Sequence, residues 1–254
     1  AKNPQPIFIY FATYAPHAPY TPAPRHANLF PGLTAPRWPS FNEADVSDKP
    51  AYIATRDLLT SAQIANIDTF FRKRAQALQA VDEAIAGLLT AMQATGRLDN
   101  TYVVFAADNG YHMGEHRLLP GKYTPYETDL HVPLIVRGPG VPAGVVRHDV
   151  TANVDLAETF AELAGVAPLP FSDGRSIVPL LQASSAGSWR QAFLLEEFGS
   201  GDFVLGDETD AVNPASTLGV REPPDAQDLA TPAVTIPSYY GFHAPTYKYI
   251  EYQS

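Results

Sequence analysis

The chain has 254 residues, a formal net charge of -10 and no cysteine. The acidic excess without a Lys/Arg stripe argues against nucleic-acid binding, and the missing cysteines exclude disulfides and thiolate metal sites. No uninterrupted apolar run is long enough to span a bilayer, so we expect no membrane partner. The sequence has neither an initiator Met nor a signal-peptide pattern and opens almost directly on a strand, so we expect a mature or truncated product.

Two apolar segments predict buried strands. Residues 6–13 and 102–107 are rich in β-branched and aromatic side chains, which is typical of strands covered on both faces. Between them, Ser61 to Thr95 carries apolar residues at helical spacing, and Gly96 is a natural helix stop. A strand, a long helix and a strand form a crossover unit. The predicted fold class is therefore α/β, with a mainly parallel or mixed central sheet flanked by helices.

The rest of the chain adds an irregular segment and shorter elements. Residues 20–60 are proline-rich, which indicates a wall or lid near a site, a partner-binding loop or a disordered segment. Further elements are predicted at 131–138 (strand), 153–165 and 173–181 (helices), and 193–198 and 247–252 (strands with one wet face). An acidic, proline-rich stretch lies between Gly199 and Pro237. We therefore expect one domain at 1–187 and the start of a smaller antiparallel subdomain at 188–254.

The strand at 102–107 runs into Asp108, Asn109 and Gly110. Two oxygen-bearing side chains where a strand opens into a polar loop suit a hard cation. Ligands of open α/β sheets also bind outside the carboxyl ends of the strands. The alternative is that Asn109 and Gly110 form only a hairpin turn, although a long loop follows instead of a partner strand.

Two loop cations are candidates for binding an anion. His17 stands among prolines after the first predicted strand, and it emerges at the same sheet edge as Asp108 if the two strands are parallel. The alternative is an ordinary surface histidine. Lys122, between Gly121 and an aromatic residue, can place one compact positive charge on an oxyanion. The alternative is a solvated lysine, unless something anchors its loop.

Two further charged groups point to binding more weakly. His112 and His116 have the four-residue spacing of a helical metal pair, but Gly114 and Pro120 argue against a helix there and so against a zinc site. The run Arg72-Lys73-Arg74 is either a basic binding face or, more simply, the solvated face of the helix.

Several segments, in chain order, resemble type I sulfatases of the alkaline phosphatase superfamily. The matching segments are 11–19, 107–116, Gly121-Lys122 with Tyr126-Glu127, 132–142, 153–157 and 173–181. They cover most of residues 6 to 183. The loop around His17 and the segments at 35–37 and 71–74 are most similar to N-acetylglucosamine-6-sulfatases.

The resemblance implies an alkaline-phosphatase-like fold, a secreted, periplasmic or lysosomal setting, and calcium-dependent hydrolysis of a sulfate ester on a sugar or glycosaminoglycan. It implies that Asp108 and Asn109 bind Ca²⁺, that His17 and Lys122 contact the sulfate as catalytic residues, and that His112 is a further substrate contact. The formylglycine nucleophile is expected upstream, because the chain has no Cys and no Ser-x-Pro-x-Arg motif. The chain is then half of a site and inactive alone. The alternatives are a phosphatase or phosphodiesterase of the same superfamily and a non-catalytic remnant that binds sulfated glycans.

Overall fold

The structure is a computed structural model that describes residues 5–168, 170–182, 188–198 and 236–253. They form two compact units that alternate along the chain. The first contains residues 5–98, 111–122 and 236, and the second contains 99–110, 123–168, 170–182, 188–198 and 237–253. Almost all of the acidic stretch from Gly199 to Pro237 lies outside the described residues, and the boundary near residue 187 stays a prediction. In the described part, no helix is both long and apolar enough to cross a membrane.

The first unit is organised by one long helix, α2, at Ser61–Ala94. At its start, the Thr60 hydroxyl accepts a hydrogen bond from the Gln63 N–H while the Gln63 side chain accepts one from the Thr60 N–H, a capping box. At its end, Gly96 has a φ of +66°, and the N–H groups of Gly96 and Arg97 donate to carbonyls of the last turn, a Schellman motif. The predicted helix is confirmed.

The proline-rich segment at 20–60 packs against α2. It contains a 3₁₀ helix at Pro24–His26 and the short helix α1 at Ala51–Ala54, and it is otherwise irregular. The buried core cluster of this unit consists of Ala35, Leu59, Ile67, Met113 and Leu119, with Phe41, Ile64, Phe70, Phe71 and Tyr111 packed against it. Trp38, from the same proline-rich segment as Phe41, is exposed.

The strand predicted at 6–13 does not form. Phe8 is 73% exposed and Tyr10 is 83% exposed, so the apolar side chains are not buried. A strand satisfies its backbone N–H and C=O groups through a neighbouring strand, and no described segment pairs with this one. The prediction of this strand is therefore wrong, and the parallel sheet that depended on it is not confirmed.

The second unit begins with a two-stranded antiparallel sheet. β1 at Val103–Ala106 pairs with β2 at Leu134–Arg137, with Val103 opposite Arg137, and the short helix α3 at Glu127–Leu130 lies between them in the chain. Both predicted strands are confirmed. The prediction that the strand at 102–107 is covered on both faces is wrong, because Phe105 is 42% exposed and no third described strand joins the pair.

The rest of the second unit contains two helices and a three-stranded antiparallel sheet. The elements are α4 at Asp155–Leu163, α5 at Val178–Gln182, β3 at Phe193–Glu197, β4 at Tyr239–His243 and β5 at Lys248–Tyr252. The strand order is β3-β4-β5, and both pairings are antiparallel. The predicted helices and the two predicted strands with one solvent-exposed face are confirmed, although α5 is shorter than expected. The strand β4 was not predicted. The chain is thus α/β.

Candidate active site

The turn after β1 is held by side and main chains from elsewhere in the second unit. The Asn153 Nδ2 donates to the carbonyl of Ala107 at 3.0 Å and to that of Asp108 at 2.9 Å. The Gly110 N–H donates to the Asp129 carbonyl at 2.8 Å. The backbone on both sides of Asn109 is therefore fixed.

Gly110 is glycine because another backbone segment approaches it. A Cβ at this position would lie 2.0 Å from the carbonyl oxygen of Thr128. Its φ is not in the left-handed region, so close approach is the reason for glycine here. A hairpin turn at Asn109-Gly110 is wrong, because the partner of β1 begins only at Leu134.

The side chains of Asp108 and Asn109 present uncommitted oxygen atoms. The Asp108 carboxylate is exposed and makes no hydrogen bond or ion pair within the described chain. Asn109 donates from Nδ2 to the Gly110 carbonyl at 2.7 Å, which orients its Oδ1. Carboxylate and amide oxygens suit a hard cation, and the pair supplies two of the roughly six to eight oxygens that Ca²⁺ takes. No group of three His, Asp or Glu residues in the described ranges could hold a metal.

Asp155 fixes the segment that carries Asn153. Its buried carboxylate accepts hydrogen bonds from Arg190 at 2.6 and 2.7 Å and from the backbone N–H groups of Ala152 and Arg175 at 2.9 and 2.8 Å. Burial raises the pKa of Asp155, but the hydrogen bonds from Arg190 and these N–H groups together lower it by more than burial raises it. The net shift of the pKa is therefore downward. The carboxylate is therefore charged at neutral pH and anchors the start of α4.

His17 lies in a loop of the first unit that is closed by its own backbone. Its N–H donates to the Tyr14 carbonyl at 2.9 Å, and its carbonyl accepts from the Tyr20 N–H at 3.1 Å. Nδ1 of the ring lies 3.0 Å from the Ala18 carbonyl oxygen, which can only accept, so Nδ1 carries the proton. Nε2 is then the atom whose protonation charges the ring. A cavity of about 260 Å³ is lined by Tyr14, Ala15, His17, Pro19, Thr21 and Ala77.

Arg74 of α2 joins the His17 loop to Tyr111. Its Nη1 donates to the Pro16 carbonyl at 3.3 Å, and its guanidinium carbon lies 4.4 Å from the centre of the Tyr111 ring. The hydroxyls of Tyr20 and Tyr111 are 2.7 Å apart. The interpretation of Arg74 as part of a solvated helix face is wrong, because it is half-buried between two loops.

The loop at 111–122 is not helical, as predicted, and it is anchored along its length. The Asn42 N–H donates to the Gly114 carbonyl, and the His116 N–H donates to the Ser40 carbonyl, both at 2.7 Å. Arg117 donates to the carbonyls of Glu43, Ala44 and Arg56 at 2.8, 2.7 and 2.6 Å. His116 Nδ1 lies 2.7 Å from Glu43 Oε2, which engages this ring nitrogen in a hydrogen bond to the carboxylate.

Lys122 directly follows a backbone bridge that closes this loop. The His112 N–H donates to the Gly121 carbonyl at 2.9 Å, and the Gly121 N–H donates back at 3.1 Å. Lys122 is half-buried, so its loop has the anchor that a placed positive charge needs. His112 is only 1% exposed, and its ring lies beside that of Tyr111. The contact of His112 with substrate stays a prediction.

The five predicted site residues are divided between the units. His17, His112 and Lys122 belong to the first, and Asp108 and Asn109 belong to the second. Within the first unit, Arg74 contacts both the His17 loop and the residue before His112. Sequence reasoning missed the anchors Arg74 and Asn153, although both lay in segments it had singled out. The roles of the five residues stay predictions.

Comparisons with known proteins agree with the motifs. A model of the Sulfatase family matches residues 1–166. The chain is 36% identical over 222 residues to N-acetylglucosamine-6-sulfatase of Bos taurus, covering 87% of this chain and 39% of that protein.

Solved structures show the same fold. A protein bound to its substrate D-glucosamine-2-N,6-O-disulfate superposes with a TM-score of 0.60 at 26% identity, covering 77% of this chain and 34% of that one. A phosphonate monoester hydrolase of Silicibacter pomeroyi superposes with a TM-score of 0.62 at 20% identity, covering 94% of this chain and 46% of the other. The chain thus spans less than half the length of each of these relatives. From the family match and the sequence identity, the chain belongs to the sulfatase family.

Proposed function

We propose that the full-length protein carrying this chain hydrolyses sulfate esters of aminosugars, with Ca²⁺ as its cation. Two relatives support the substrate class: one is named an N-acetylglucosamine-6-sulfatase, and the other binds a glucosamine disulfate as its substrate. The chain contains no Cys and no Ser-x-Pro-x-Arg, so we assign the formylglycine nucleophile to the rest of the full-length protein.

The observation that carries this proposal is the uncommitted carboxylate of Asp108 on a turn that Asn153 holds in place. The turn is held firmly, yet its charged side chain has no partner in the described chain. This combination favours binding of a ligand by Asp108. Asp108 and Asn109 would hold the Ca²⁺, and the charge of the bound ion supplies Lewis-acid stabilisation of a sulfuryl oxygen.

His17 and Lys122 would contact the sulfate group. Lys122 is an ammonium on an anchored loop, so it can meet developing negative charge with little reorganisation. Because the proton on Nδ1 of His17 is engaged with the Ala18 carbonyl, Nε2 would be the atom that donates a proton to the leaving oxygen when the ring is charged.

Substitution of Asp108 tests the proposal. In the full-length protein, Asp108→Ala should lower kcat/KM on glucosamine 6-sulfate by about a thousandfold, because a charged ligand of the cation is lost. It should also remove the rise in melting temperature that added Ca²⁺ gives the parent protein. Asp99→Ala, which removes an exposed acid from the same unit, is the matched control and should change neither quantity.

Three results would count against the proposal. Unchanged turnover in Asp108→Ala would refute the role of this residue. Faster cleavage of the matched phosphate ester than of the sulfate ester would favour a phosphatase. Tight binding of the sulfated sugar without turnover by the parent protein would favour a non-catalytic glycan-binding role.

A further inference from the structure

A second cavity beside α2 contains two cations that the site described above does not use. Its volume is about 310 Å³. Its lining residues are Ala27, Asn28, Leu29, Pro31, Thr69, Arg72, Lys73 and Gln76. None of these lining residues, all from the described part of the chain, is acidic, so Arg72 and Lys73 are the charged groups among them.

These two cations have no partner in the described part of the chain. Arg72 and Lys73 are half-buried, and neither makes a side-chain hydrogen bond or ion pair there. The Nε of Arg72 is fully buried without a hydrogen-bond partner. Leaving a buried donor unsatisfied and two charges partly desolvated is costly, and an anion in the cavity would remove that cost.

Two of the three acidic residues on α2, Asp68 and Glu83, are already engaged, and the third, Asp82, lies nine residues beyond Lys73, more than two helical turns away. Asp68 is paired with Arg37 at 2.7 Å. Glu83 accepts from both Arg25 and His26. These carboxylates are therefore committed to other cations, and the positive charge of Arg72 and Lys73 remains available to a ligand.

Part of the cavity lining is fixed in place by Gln76. The buried side chain of Gln76 donates from Nε2 to the carbonyls of Ala27 and Leu29, at 2.9 and 2.7 Å. Asn28, between those two residues, also lines the cavity and offers an amide to a hydroxyl group. A fixed lining that combines an amide with two cations suits a polar anionic ligand better than an apolar one.

The cavity is a neighbour of the one that contains His17. Lys73 lines the first and Ala77 lines the second, and residues four apart on a helix lie on the same face with Cβ atoms about 5–6 Å apart. One extended ligand can therefore reach both cavities along α2.

We propose that Arg72 and Lys73 form a second anion subsite, which binds another acidic group of a polyanionic saccharide while its sulfate ester lies in the His17 cavity. This inference rests on the proposed function. The acidic group is either a second sulfate or a uronate carboxylate, since both are planar or tetrahedral oxyanions that a guanidinium and an ammonium bind.

The test compares substrates that differ only in the second anionic group. The full-length protein is assayed with glucosamine 6-sulfate, with a disaccharide carrying the same ester plus a second sulfate, and with a disaccharide carrying it plus a uronate. Arg72→Gln and Lys73→Gln should each raise KM about tenfold for the disaccharide that fills the subsite, the loss of one charge-assisted contact. KM for glucosamine 6-sulfate should stay unchanged, and kcat should stay unchanged for every substrate. The disaccharide affected identifies the group bound.

Arg25→Gln is the matched control, since it removes one exposed cation from the same unit without touching the cavity. Equal changes for all three substrates, no change for any, or the same selective change in Arg25→Gln would overturn the inference. If Arg72→Gln does not fold, Lys73→Gln tests the subsite by itself. This variant should fold, because the Lys73 side chain makes no hydrogen bond in the described chain.

Calorimetric binding separates this inference from the proposed function. If the parent protein turns over none of these esters, the proposed function fails. Weaker binding of a disaccharide to Lys73→Gln than to Arg25→Gln would still support the subsite, and equal binding to both variants would refute it.

Discussion

Arg74 is expected to act as a positioning residue for the His17 loop. Arg74→Gln removes two close contacts, a charged hydrogen bond to the Pro16 carbonyl at 3.3 Å and a cation–π contact at 4.4 Å from the Tyr111 ring, and one longer contact at 5.8 Å from the Tyr20 ring. The hydrogen bond is long, so we assign it about 1.5 kcal/mol, the low end for charged donors. The half-buried cation–π contact adds about 1 kcal/mol. The two together are worth about 2.5 kcal/mol.

This energy bounds the effect on catalysis. If the whole 2.5 kcal/mol stabilises the active conformation of the His17 loop, Arg74→Gln lowers kcat/KM on glucosamine 6-sulfate by about 70-fold. If only half of this energy does so, the decrease is about tenfold. The loss should appear mainly in kcat if His17 acts on the leaving oxygen. Arg74→Lys should recover part of the activity, because it keeps the charge but loses the planar stack on Tyr111.

The assay pairs steady-state kinetics with urea unfolding of the full-length protein. Arg97→Gln is the matched control, since Arg97 follows the same helix and donates to a backbone carbonyl far from His17 in the chain, that of Gln5. A kcat/KM within twofold of the parent value in Arg74→Gln would refute the argument. So would a loss of unfolding free energy with no recovery of activity in Arg74→Lys, since a purely structural arginine gives that result.

Three other substitutions test the site and its supports. Lys122→Ala should lower kcat/KM by about 100-fold or more with less than about 1 kcal/mol lost in urea unfolding, and equal losses would make the lysine structural. Gly110→Ala should cost about 2–3 kcal/mol, because its Cβ would lie 2.0 Å from the Thr128 oxygen, whereas Gly87→Ala, inside α2 with open space around it, should stabilise the protein by up to about 1 kcal/mol. Asp155→Asn should cost about 3 kcal/mol at pH 7 by leaving Arg190 unpaired. Because the pKa of Asp155 is lowered on folding from an ordinary value of 3.8, the parent holds this stability above about pH 4 and loses it as the pH falls below, while the variant should show a flatter pH profile in urea titrations.

The local elements were predictable because their determinants are close in sequence. The apolar spacing and Gly96 predict α2. The structure shows a capping box at its N-terminus and a Schellman motif at its C-terminus. Both caps use residues within about one helical turn of the helix end. Helical order over this range needs no knowledge of the remaining chain.

The strands were less predictable because their burial depends on distant partners. The apolar run at 6–13 has the composition of a buried strand, yet Tyr10 is 83% exposed and the segment is unpaired in the described chain. β1 and β2 have the same composition and do pair, but as a two-stranded antiparallel ribbon. Composition thus reports that a segment can be buried in a sheet, whereas the direction of pairing and the covering layer are set by other segments.

The candidate site shows the same division between a reactive group and its support. The candidate residues Asp108 and His17 stood out by their type and position, but the anchor of each lies far away in sequence: Asn153 holds the turn of Asp108, and Arg74 holds the loop of His17. A motif of adjacent residues cannot contain such an anchor. The supports also differ from the candidate site residues in what they contact: Asn153 and Arg74 donate to backbone carbonyls that any sequence in the loop would present, although Arg74 also depends on the ring of Tyr111. Substitutions in the loops should therefore alter chemistry and specificity. Substitutions at Asn153 or Arg74 should instead alter the conformation of the turn or loop that each residue holds.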